Sequence, residues 1–147
     1  MNTAASITLT TALRICEAAV VEAERAGALV SVAVVDAGGH LVAFMRMDGA
    51  EIAGPVLAPD KAYTAVANRI ATHELAEQAA PGGPLFGLHA HASGRFVIFG
   101  GGVPLWLGDH VIGGVGVSGG TVTEDVACAH AGEQAWRQAI IAGQPHP

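Results

Sequence analysis

Positive charge is scarce in this chain of 147 residues: lysine and arginine together number 7, against 13 aspartates and glutamates. Lys61 is the only lysine. The formal net charge of −6 argues against a nucleic-acid partner, because binding phosphate needs a basic footprint. Charge of either sign is sparse, at 14% of residues beside 51% hydrophobic. The shortfall predicts that some surface is covered between subunits. Cysteine is nearly absent. Cys16 and Cys128 both fall in helical stretches and read as free thiols, not as a disulfide or a metal site. No apolar run approaches the roughly 18 residues of a membrane span. The opening MNTAASITLTTALRIC lacks the basic start and continuous apolar core of a secretory signal. The expectation is a cytoplasmic protein with no membrane partner, one domain over residues 1–147.

What is plentiful is glycine, and its densest run is Arg95 to Gly120, RFVIFGGGVPLWLGDHVIGGVGVSGG. It reads as three strands, 95–99, 103–107 and 111–118. Gly108-Asp109 is a hairpin signal, since both residues tolerate the left-handed backbone of a tight turn. Gly113, Gly114 and Gly116 within the last strand predict another backbone or a ligand lying close against it. Earlier in the chain, residues 8–26 show helical spacing of Leu13, Cys16, Val20 and Ala23, with Thr10 as expected N-cap and Gly27 as the stop. Residues 29–35 are apolar almost throughout, the pattern of a strand covered on both faces. Asp36–Gly39 turns the chain into an antiparallel partner over 40–47. Residues 48–59 read as loop, and a helix is expected from Asp60 to about Gln78, breaking near Thr72, which could cap its second part. Residues 79–93 read as a long loop. Thr121 and Glu124 are spaced as a capping box for a final helix. The order predicts an α+β fold with a five-stranded, largely antiparallel sheet and helices packed against it.

Chemistry is less legible. Gly114-Val-Gly-Val-Ser-Gly119 matches G-x-G-x-x-G, but its first glycines lie inside a strand and no later strand remains to carry the ribose-binding acid. A dinucleotide site is therefore rejected. His89 and His91, at i and i+2, would project to one side of an extended segment and could ligate a haem iron. Two imidazoles do not make a metal site, which wants three or four ligands, so no metal centre is predicted. Lys61 sits in the first turn of its expected helix, where the dipole disfavours a cation. It is either solvated or aimed at an anion such as a carboxylate. Arg46, ending the second strand, could face the same place. Asp36 at a turn usually bonds local amides, with a proton-transfer role as the alternative. Glu124 and Asp125 are accounted for by capping and the dipole. Trp106 and Trp136 read as core or interface.

The segments SVAVVDAGGHLVAFMRMDGA, DKAYTA, PGGPLFG, FGGGVPL and VIGGVGVSGGTVTEDVACAHAG resemble, in order and spacing, the GlcG/HbpS family, which includes the C-terminal domain of PduO-type proteins. The resemblance runs from about residue 8 to residue 142. It implies a profilin-like three-layer α/β/α sandwich with a five-stranded antiparallel sheet, and homo-oligomers from dimers to octamers. It implies haem as a candidate cofactor, and a pocket framed by Lys61, Gly101-Gly102 and the Asp36 turn.

Three functions follow as expectations. The first is an accessory protein binding a small ligand, haem or a related planar acid. Lys61 and Arg46 would hold its carboxylate, His89 or His91 would meet the iron, and Tyr63 and Phe86 would form apolar walls. The second is an enzyme moving a proton on a small carboxylic acid, with Lys61 neutralising charge and Asp36 or a loop histidine carrying the proton. The third is a purely structural oligomer.

Overall fold

The computed structural model describes residues 5–143, and His146 lies outside them. Its elements are α1 (Leu9–Ala26), β1 (Ser31–Asp36), β2 (Leu41–Arg46), α2 (Gly54–Asn68), α3 (Thr72–Ala79), β3 (Gly102–Leu107), β4 (His110–Ser118) and α4 (Val122–Ile141). The strands form one antiparallel sheet in the order β2-β1-β4-β3. Gly108-Asp109 makes the expected two-residue hairpin, with Gly108 at φ 62 and Leu107 paired to His110.

Helices cover both faces. β1 is buried along its first five residues, as its unbroken apolar sequence predicts. Side chains alternate across the sheet: Val32 and Val34 join the larger core with Ile15, Ala19, Ala129 and Trp136 from α1 and α4. Val35 instead packs on Ala62 and Val66 of α2. The glycines of β4 explain how α2 lies so close. A Cβ on Gly116 would run into the Ala58 carbonyl oxygen and lie 2.6 Å from the Ala62 nitrogen. One on Gly114 would lie 2.8 Å from the Ala62 carbonyl oxygen. The glycines let the helix backbone rest directly on the strand, and the close partner is protein rather than ligand.

Several expectations are corrected. The sheet has four strands, not five: residues 95–99 form no strand. The Val97 N–H is instead taken by Thr64 Oγ1 of α2 at 3.0 Å, and Arg95 is anchored to Asp60. The outer side of β3, where a fifth strand could pair, is already occupied by Thr72, whose Oγ1 accepts from Gly102 N–H at 2.8 Å. Thr72 therefore serves the sheet, and the N-cap of α3 is Ala71. α1 is capped by Thr8, whose side chain accepts from Thr11 N–H, rather than by Thr10. α2 begins at Gly54, six residues before the expected start at Asp60, and carries Pro59 within it. Pro55 suits a first turn because its φ is preset, and tertiary packing sustains the rest. The loop expected over 79–93 begins only after Ala79, the last residue of α3, and carries two single 3₁₀ turns, Leu88–Ala90 and Ala92–Gly94. The capping box at Thr121–Glu124 is present as expected.

Cys16 and Cys128 are free and fully buried, and burial pushes their thiols up to about 12 and about 11. Among the described residues no helix is long and apolar enough to cross a membrane.

The α2–β4 contact yields a test. Gly116→Ala should cost about 3 kcal/mol or more, because two rigid backbones would have to separate. Gly82→Ala, at φ 84 with open space around it, should cost only about 1 kcal/mol of backbone strain. Urea unfolding measures both. Equal losses would mean that close packing does not dictate glycine at 116.

Candidate functional site

Lys61 is the most unusual residue of the fold. α2 lays it against the sheet, under the Gly100–Gly102 turn, and it is only 1% exposed. Its ammonium donates to the Val117 carbonyl at 2.9 Å and to Asp125 Oδ2 at 3.1 Å. The Phe99 ring lies 5.1 Å from the same nitrogen. Asp125, also buried, comes from the first turn of α4, and its other oxygen accepts from Gly120 N–H at 2.9 Å. Burial lowers the Lys61 pKa, and the Asp125 charge only partly opposes this. Burial likewise raises the Asp125 pKa against the pull of Lys61. Desolvation outweighs attraction on both sides of the pair, the usual balance for a buried ion pair.

Gly101 and Gly102 make room for this pair. A Cβ on Gly101 would lie 2.9 Å from the Lys61 ammonium, and one on Gly102 would strike the Lys61 carbonyl oxygen. They enclose the lysine instead of framing an open pocket. The anion at which Lys61 aims is therefore Asp125. Capping needs only Glu124, so the second acid, which the sequence explains by capping and the helix dipole, is the signal for a buried partner.

The other predicted residues disperse. Arg46 is exposed at the end of β2, two strand spacings or about 10 Å across β1 from Ser118. Asp36 is at the far end of β1, opposite Gly113, about 13 Å along β4 from Val117. Its Oδ1 accepts from the Gly38 and His40 amides, both at 2.9 Å, so it closes the β1–β2 turn. Tyr63 is half-buried between the Arg95 guanidinium, 3.7 Å from its ring, and Phe96, whose ring is 6.1 Å away. Arg95 is held there by Asp60 at 2.9 Å. Sequence reasoning missed this Asp60–Arg95–Tyr63 cluster because Arg95, which reads as the start of a strand, lies 32 and 35 positions from Tyr63 and Asp60.

The loop histidines keep company with apolar side chains. Phe86 is 63% exposed and its ring lies 6.4 Å from that of His89. His91 helps line a hollow of about 250 Å³ with Leu85, Phe86 and Leu88. His89 lies in a 3₁₀ turn, not in the extended segment expected, and neither imidazole hydrogen-bonds to a described residue. Among the described residues no cluster of three or more metal-ligating side chains forms.

Comparison with known proteins decides the family. The model of a family described as "Haem degrading protein HbpS-like" matches residues 7–134. The chain belongs to the HbpS-like family. It is 43% identical over 116 residues to the corrinoid adenosyltransferase PduO of Citrobacter freundii, covering 79% of this chain and 35% of that one. It thus spans about a third of that relative. Klebsiella pneumoniae ORFY superposes with a TM-score of 0.89 at 34% identity, covering 93% of this chain and 94% of the other. A structure described as a PduOC–heme complex superposes at 0.85 with 40% identity, covering 88% and 94%.

The buried pair makes a stability prediction. Lys61→Met would leave the Asp125 carboxylate buried without its cation, a loss of about 3–5 kcal/mol at neutral pH. Removing the cation raises the carboxyl pKa further. The folded variant then binds a proton more tightly than the unfolded chain, so the deficit shrinks as pH falls and the carboxyl protonates. Lys61→Met/Asp125→Asn, which keeps an acceptor for Gly120, should recover much of the loss. Urea unfolding at pH 7 and at pH 5 measures this, and a deficit independent of pH and of Asp125 refutes it.

Proposed function

We propose that the protein is a small-ligand-binding accessory protein whose ligand is haem or a similar flat acid, held on the loop of residues 84–94. The observation that carries this reading is the likeness, at 40% identity, to the PduOC–heme complex. The description of the family as haem-degrading agrees with it. The chain's own residues fit the group. A haem needs an apolar face and an imidazole free to meet iron, and the loop offers exposed Phe86 and Leu85 beside His89 and His91, whose nitrogens have no hydrogen-bond partner among the described residues. The hollow of about 250 Å³ takes only an edge of so large a ligand. The remainder would lie along the loop surface or against a second subunit.

In this reading His91 is the first candidate for the iron and His89 the second, with Phe86 as the wall. Bound haem would supply redox chemistry at its iron. Lys61 is not available to a propionate, because Asp125 occupies its charge. The same occupancy weakens the alternative of an enzyme in which Lys61 neutralises a substrate carboxylate. The protein would work as a homo-oligomer, with exposed Ile52, Val56 and Leu41 among the apolar side chains available for covering.

Titration with haemin tests the reading. A sharp, saturable Soret band is expected, lost or shifted in His91→Ala or, failing that, in His89→Ala. Both residues are exposed, so the variants should fold normally. A broad band of adsorbed haem that neither substitution changes would refute haem binding on this loop.

A further inference from the structure

A second cleft lies along the outer edge of β3, away from the loop histidines. β3 is an edge strand, and two of its outward groups are already engaged. The Gly102 N–H goes to Thr72, and the Trp106 carbonyl accepts from Trp136 Nε1 at 3.1 Å. Pro104, between them on the same side of the ladder, has no N–H to offer. An edge obstructed in this way is a poor template for another strand. It forms instead the floor of a cleft of about 400 Å³. Arg69 and Glu74, from the α2–α3 junction, stand on one wall, and His130, Glu133 and Arg137 of α4 stand on the other. The size is that of a small-molecule site, roughly 300–1,000 Å³.

The side chains define what would fit. Trp106 is 37% exposed, and the ladder shifts register between Leu105 and Trp106. Such irregularities re-aim side chains and are over-represented next to functional sites. The Arg69 guanidinium lies over the Trp106 ring at 5.3 Å. The acids of the cleft are engaged or peripheral. Glu133 accepts from Arg137 at 3.3 Å and meets His130 Nδ1 at 3.1 Å, and its side chain is only 15% exposed. Glu74 is at the rim, 62% exposed, facing His73 at 3.9 Å. The arginines have donors to spare. A guanidinium carries five N–H groups; Arg69 directs a nitrogen to the Asp109 carbonyl at 3.3 Å, and Arg137 directs one to Glu133. A surplus of donors beside a flat aromatic floor calls for an acceptor carried on an apolar body.

We propose that this cleft binds a small carboxylate with a flat apolar body, the carboxylate held by Arg69 and Arg137 and the body resting on Trp106 and Pro104. The site is independent of the haem reading, because none of its residues belongs to the 84–94 loop.

The two tryptophans of the chain give two indole N–H resonances in a ¹⁵N-labelled sample, and Trp106→Phe assigns the one in the cleft. Benzoate is the probe, with acetate as the carboxylate lacking the body and benzylamine as the cation of similar shape. Benzoate should shift the Trp106 resonance saturably, acetate much more weakly, and benzylamine not at all. Arg137→Gln and Arg69→Gln, both at exposed positions, should each weaken benzoate by about tenfold, the loss of one charge-assisted contact. His89→Ala/His91→Ala should leave benzoate binding unchanged even where it abolishes haem binding. No saturable shift, equal response to benzylamine, indifference to both arginine variants, or loss in the histidine variant would each overturn the proposal.

Discussion

The rest of the structure depends on the direct contact of the α2 backbone with β4. Side chains normally hold a helix about 10 Å from the sheet it covers. Here Gly114 and Gly116 remove that spacer, and the Ala58 and Ala62 backbone sits on the strand. A helix so close leaves no space for solvent between it and the sheet. Lys61, on that side of α2, is consequently shut in and must find its partners inside the protein.

Those partners tie distant parts of the chain together. One ammonium joins the end of β4 through Val117 to the start of α4 through Asp125, while Gly101 and Gly102 wrap around it. Ion pairs of this kind are poor sources of net stability, since desolvation offsets attraction. Their effect is on geometry: any shift of α4 relative to α2 leaves two charges buried and unpaired. The pair therefore positions the N-terminus of α4 and, with it, the helix that forms one wall of the β3 cleft.

The loop of residues 80–101 answers to a different constraint. It crosses α2 rather than joining the sheet, fastened by Arg95 to Asp60 and by Val97 to Thr64. Between those anchors and α3 it displays Phe86, His89 and His91 to solvent. An ordered anchor with an exposed apolar and imidazole tip is how binding loops are commonly built on rigid scaffolds.

Periodicity and turn chemistry determined much of this protein locally. The buried run of β1, the Gly108-Asp109 hairpin, the Thr121–Glu124 box and the glycines of β4 follow from rules that act within a few residues. Family membership was legible too, because it rests on the order of such segments. The tertiary structure decided what those segments meet. Residues 95–99 have the composition of a strand, but the free side of β3 was taken by Thr72, and that competition is invisible along the chain. Asp125 reads as an ordinary helix-start acid until α2 and α4 converge on it from 64 positions apart. Lys61 looks like a free cation for the same reason: burial, and the identity of a buried charge's partner, belong to the packed fold and not to any local stretch of sequence.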